Sequence, residues 1–129
     1  MNNGKFIGNE TKKCIFDKKT RTNLKEKTFL KHLDNEGLER IRMRISVDKG
    51  KVIDIMVQYE TIINNKWASV VRYDCAHGFF HRDVLTPQGD KEKQRIAIEN
   101  LDYALQYAEQ DIKDRWKFYK QRFTKKIKK

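Results

Sequence analysis

From Ile41 to Val47 every odd position is apolar and every even one polar: Ile41-Arg42-Met43-Arg44-Ile45-Ser46-Val47. A period of two predicts a strand with one buried face and one wet face. Asp48-Lys49-Gly50-Lys51 then reads as a tight turn, with Gly50 able to take positive φ. Val52 to Ile63 is a second β-rich run, with Ile53, Ile55, Val57 and Tyr59 on one face and Asp54, Gln58 and Glu60 on the other. Asn64-Asn65-Lys66 predicts another hairpin turn. Trp67 to Asp74 and Phe79 to Leu85 follow as the third and fourth strands. Thr86-Pro87-Gln88-Gly89-Asp90 fits a turn with proline second and a left-handed glycine. Lys91 to Arg95 is a polar edge strand whose lysines discourage sheet-to-sheet pairing.

After Arg95 the period changes. Ile98, Leu101, Leu105, Ala108, Ile112, Trp116, Tyr119 and Phe123 recur every three or four residues, which predicts an amphipathic helix. At roughly 25 residues it would be about 38 Å long. Residues 99–114 hold five acids and one lysine; residues 115–129 hold eight basic residues and no acid. That gradient suits the helix dipole. Ahead of the first strand, residues 1–28 carry eight Lys or Arg against three acids, with no apolar period. They read as a basic, weakly structured arm. Lys27 to Leu33 reads as a short helix with Phe29, Leu30 and Leu33 on one side.

The expected architecture is therefore α+β. An antiparallel β-meander of four to five strands carries a long C-terminal amphipathic helix packed on one face. Residues 1–28 form the arm, 29–124 a single domain, and 125–129 a basic tail.

Charge narrows the function classes. The chain has 129 residues and a net charge of +11. Such an excess attracts polyanions, so RNA or another polyanion is the first partner expected, and an acidic protein the second. No membrane association is expected, because no apolar run approaches the roughly 18 residues of a span and no lysine-rich helix carries a membrane-sized apolar face. Met1-Asn2-Asn3-Gly4-Lys5 lacks the apolar core of a secretory signal, and Cys14 and Cys75 suggest no exported disulfide framework. The expectation is a cytoplasmic protein with reduced thiols.

Candidate chemistry is concentrated in Arg72-Tyr73-Asp74-Cys75-Ala76-His77-Gly78-Phe79-Phe80-His81, which holds two of the three histidines. If Tyr73 faces Phe80 across the hairpin, Arg72 faces His81, and Asp74 shares their side because it is two residues from Arg72. A register one residue away would oppose Arg72 to Arg82, a like-charge pair. Two histidines can act as base and acid in metal-independent RNA cleavage, with Arg72 holding the phosphate, Asp74 orienting an imidazole and Tyr73 donating a hydrogen bond. The catalytic set expected is His77, His81, Asp74, Arg72 and Tyr73, with no cofactor. A metal site of His77, His81 and Asp74 is the weaker alternative, since a His-x3-His spacing suits a helix better than a hairpin tip. A structural reading also stands: Asp74 accepting backbone N–H bonds, His77 capping the loop, and Arg72 and Asp74 as a plain ion pair. Cys75 reads as a small turn residue, His32 as a solvated side chain, and Trp116, Tyr119 and Phe123 as core.

The segment from Val70 to His81, followed by a Pro-x-Gly turn, resembles TumE-type toxins of prokaryotic toxin–antitoxin modules and their uncharacterised relatives. Arg72, Tyr73, Asp74, His77 and His81 match their Arg-Tyr-Asp segment and His-x-x-x-His-like loop; Phe79-Phe80 and the basic arm depart from it. The resemblance implies a toxin-like role and an antitoxin protein as partner. Joined to the charge and the histidines, it gives a small RNA-directed protein of ribonuclease type. The alternatives are a module that binds nucleic acid or protein without catalysis, and a metal-dependent enzyme.

Overall fold

A computed structural model describes residues 24–75 and 78–128. Six strands form one antiparallel sheet in sequence order: β1 (Leu24–His32), β2 (Glu39–Asp48), β3 (Lys51–Ile63), β4 (Lys66–Asp74), β5 (His81–Leu85) and β6 (Lys91–Arg95). Helix α1 (Leu101–Thr124) follows and packs on β3 and β4. The fold is the α+β meander with a C-terminal helix, and it has six strands where four to five were expected.

The additional strand is β1. Lys27 to Leu33 is not a helix: Leu24 to His32 pair with Asp48 to Arg40 along the whole of β2. Its side chains are almost all exposed, including Phe29 at 41% and Leu30 at 56%, so no buried stripe marks its period. Backbone pairing with β2, whose outer N–H and C=O groups would otherwise stay open, decides its conformation. Lys25, Lys27 and Lys31 on β1 and Lys91 and Lys93 on β6 make both sheet edges basic, which discourages further pairing.

The hairpin turns follow from local chemistry. Lys49 (φ 52°) and Gly50 (φ 81°) link β2 to β3, and Asn64 (φ 53°) and Asn65 (φ 66°) link β3 to β4. Positive φ at both central residues matches the right-handed twist of the strands. Between β5 and β6 the Gly89 N–H donates to the Thr86 carbonyl, with Pro87 second in the turn and Gly89 at φ 92°.

Alternation sorts the sheet into two faces. Ile41, Met43, Ile55, Val57, Tyr59, Val71 and Tyr73 form the face under the helix and are almost fully buried. Leu101, Ala104, Ala108, Ile112, Tyr119 and Phe123 meet them. Ala104 and Ala108 let the helix backbone approach the sheet closely. Asn100 caps the helix, its Oδ1 accepting the Tyr103 N–H at 2.9 Å. Among the described residues no helix is long and apolar enough to cross a membrane.

A buried polar cluster pins the helix to the sheet. The Asp111 carboxylate accepts from the hydroxyls of Tyr73 and Tyr119, and Arg82 donates to both tyrosines at 3.1 and 3.2 Å. Burial, and then Asp111, push the Tyr73 phenol well above its usual range and the Tyr119 phenol up to about 12. A second tie joins Tyr59 and Lys120 to Glu39, a carboxylate only 2% exposed. Burial and Glu39 likewise raise the Tyr59 phenol.

Candidate functional site on the polar face of the sheet

Strands β4 and β5 pair Arg72 with Asp83, Tyr73 with Arg82 and Asp74 with His81. This differs by two residues from the expected pairing of Arg72 with His81. A shift of two keeps every side chain on its face. Arg72, Asp74, His81 and Asp83 therefore share the face away from the helix, with Arg72 opposite Asp83 in the ladder rather than opposite Arg82.

Tyr73 is the correction. Lying between Arg72 and Asp74, it points to the other face, is 0% exposed and hydrogen-bonds Asp111. It cannot donate to a ligand beside His81. His77 and Ala76 lie outside the described residues, so the expected pair of histidines rests here on His81 alone.

His81 is 1% exposed. Its Nε2 lies 2.9 Å from Asp74 Oδ1 and 3.5 Å from Asp83 Oδ2, and its Nδ1 lies 3.3 Å from the Phe79 carbonyl oxygen. The Phe79 ring leans on the imidazole with centroids 5.5 Å apart, and the Arg95 guanidinium sits 4.4 Å from the Phe79 ring centroid. Asp83 is 3% exposed, and its Oδ1 is buried without a hydrogen-bond partner among the described residues. Asp74 is the accessible member, its side chain 21% exposed. A cleft of about 450 Å³ opens beside the cluster, lined by Gly78, Phe79 and Arg95 and by the chain leading into α1.

From this cluster a polar network runs across the sheet. Arg72 Nε donates to Gln58 Oε1 at 2.6 Å, and Gln58 donates to Glu60. Glu60 also accepts from Arg40 at 2.7 Å and Arg42 at 3.1 Å. Arg40 stacks over Trp67 at 3.8 Å from the ring centroid. Gln58 and Glu60 are buried, and each is satisfied by a cation or amide from a neighbouring strand. With Glu60 engaged, the exposed charge is mainly cationic: Arg44, Lys91, Lys93 and Arg95 are exposed on the same face.

Sequence reasoning missed Asp83, Gln58 and Glu60 as parts of one constellation. Asp83 carried a usable signal, since it is two residues from His81 and therefore on its face. The tie from Gln58 to Arg72 carried none, because it depends on the β3–β4 register. That register shifts between Tyr59 and Glu60, where Val70 is the extra residue on β4.

The match to known proteins covers residues 22–129, under a family described as a domain of unknown function, DUF7718. The chain belongs to this family. No curated protein and no solved structure matches it. The matched span takes in all six strands and the helix, so the network above lies wholly within the family domain.

Proposed function

We propose that the chain binds RNA on the polar face of its sheet. The observation that carries the reading is the division of charge there. Glu60 and Asp83 are both buried, Glu60 paired with Arg40 and Arg42, while Arg44, Lys91, Lys93 and Arg95 stand exposed. Exposed cations supply sequence-independent phosphate contacts. Trp67 and Phe79 are stacked with Arg40 and Arg95 respectively, and aromatic rings beside cations are a recurrent platform for unpaired bases. The overall charge of +11 supports the same partner. The test is retention of single-stranded RNA across a salt series. Binding should weaken steeply with salt and fall further when Arg44, Lys93 and Arg95 are replaced by alanine. Affinity indifferent to salt and to that triple change would refute it.

A second reading, a ribonuclease-type toxin held by an antitoxin protein, draws support from Asp74. This partly exposed carboxylate, its side chain 21% exposed, is backed by an imidazole at 2.9 Å. Such a pair can move a proton at an edge accessible to substrate. Asp74→Asn and His81→Gln should then abolish cleavage of RNA while leaving binding intact. Full cleavage by both variants would remove this reading and spare the first.

A further inference from the structure

His81 faces acceptors at both ring nitrogens. The carbonyl of Phe79 lies 3.3 Å from Nδ1, an acceptor that suits an N–H at that nitrogen. Nε2 then points at two carboxylates, 2.9 Å from Asp74 Oδ1 and 3.5 Å from Asp83 Oδ2. A bare lone pair against two anions is repulsive, so a positive species belongs between them. A single proton on Nε2 can bridge toward Asp74. It does not provide for Asp83, whose Oδ1 is buried with no hydrogen-bond partner among the described residues. Lys91 Nζ stands off from Asp83 Oδ2 at 4.0 Å on a side chain 54% exposed. Arg72, opposite Asp83 in the ladder, directs its Nε to Gln58 instead.

We propose that Asp74, His81 and Asp83 form a binding site for one divalent transition-metal ion, of the zinc or manganese class. One ligand atom from each residue falls within 4.8 Å of the others. Ligands bound at about 2.0–2.1 Å in a tetrahedron stand about 3.3 Å apart. The two Nε2–carboxylate separations, 2.9 and 3.5 Å, bracket that edge. One imidazole with two carboxylates suits zinc, manganese or ferrous iron better than calcium, which takes six to eight oxygens. The Nδ1–carbonyl contact is the outer-shell bond that commonly fixes a metal-binding imidazole. All three ligands stand on paired strands, which hold their spacing, and Asp74, its side chain 21% exposed, is the most accessible of them. The ligand set differs from the one expected from sequence, with Asp83 in the place of His77. The site does not depend on RNA binding, and its test contains no RNA.

The full chain, prepared without a polyhistidine tag and stripped with chelator, is titrated with zinc chloride and with manganese chloride. Calorimetry should give one ion per chain, and the thermal midpoint should climb with metal concentration. Asp83→Asn and His81→Gln should each weaken binding by about tenfold or more, as changes at or around metal sites do. Asp74→Asn, at the more exposed ligand, keeps the test open should the buried substitutions prevent folding, and it should weaken binding comparably. Asp90→Asn, in the β5–β6 turn, should leave affinity unchanged. Cobalt substitution of the unaltered chain adds a visible spectrum that reports nitrogen and oxygen ligands. No metal-dependent rise in the midpoint of the unaltered chain would overturn the proposal. So would undiminished affinity in folded Asp74→Asn.

Discussion

Arg82 stands directly opposite Tyr73 across the β4–β5 pair, and its Nη1 donates to the Tyr73 hydroxyl at 3.1 Å. The same nitrogen lies 3.4 Å from Asp111, on the helix. One guanidinium thus joins β4, β5 and α1 where the apolar core would otherwise end. Removing it leaves the Asp111 carboxylate, its side chain 10% exposed, without this cation. Arg82→Met is expected to cost about 3 kcal/mol, the low end for breaking a buried pair. Tyr73→Phe, which deletes one hydroxyl, is expected to cost about 1 kcal/mol. Urea midpoints at constant m-value measure both. Equal losses would show that the guanidinium contributes no more than the hydroxyl.

The fold also constrains behaviour in base. Burial and carboxylate neighbours raise the phenols of Tyr59, Tyr73 and Tyr119, the last to about 12. A phenol whose folded pKa exceeds its unfolded value, about 10, holds its proton more tightly in the fold. Its contribution is complete below about pH 10 and is lost as pH rises through the folded value. Stability should therefore be flat toward pH 10 and then fall by up to about 1.4 kcal/mol per pH unit for each such tyrosine. Base titration followed by phenolate absorbance and by circular dichroism checks this. Part of the phenolate signal should appear only as the fold is lost.

Much of this was legible in the chain, for physical reasons that also mark the limits. Period two placed β2 and period 3.6 placed α1, because each buries mainly one face, while β3 to β5 were marked by β-rich runs between turn signals. β1 buries neither face, so Phe29, Leu30 and Leu33 read as a helical stripe although pairing with β2 decides the conformation. The gathering of Arg72, Asp74 and His81 survived a register two residues off, since parity alone fixes the face. The same parity places Tyr73 on the opposite face, against Asp111. Asp83 lies outside the hairpin tip where the histidines concentrate, because the cluster is built along the strands below it.

Core packing gives a sharper stability test. Ile112 is 0% exposed and sits midway along α1, between the close-packed Ala108 and the Trp116 ring that meets Tyr59 edge-on. Ile112→Ala removes three carbons where strands and helix leave little freedom to collapse. The expected loss is about 2–5 kcal/mol. Ile98, half-buried ahead of the helix, should cost less on the same change. Denaturant midpoints of the two variants decide it; a larger loss at position 98 would mean the core is centred elsewhere.

Phosphate contacts on the polar face carry a quantitative signature. Each phosphate neutralised on single-stranded RNA adds about 0.7 to the slope of log affinity against log salt. Arg44, Lys93 and Arg95 are exposed on that face, on β2 and β6, and a strand of RNA crossing the sheet would pass between those positions. Replacing all three with alanine should lower the slope by about 2 if each holds one phosphate. The loss should be similar for unrelated RNA sequences, because phosphate contacts position without specifying. Lys113→Ala removes a charge from the opposite side of the molecule, where Lys113 pairs with Glu109, and should leave the slope unchanged. Equal slopes for the triple variant and the unaltered chain would move the binding surface off the sheet, toward the basic residues at the end of α1.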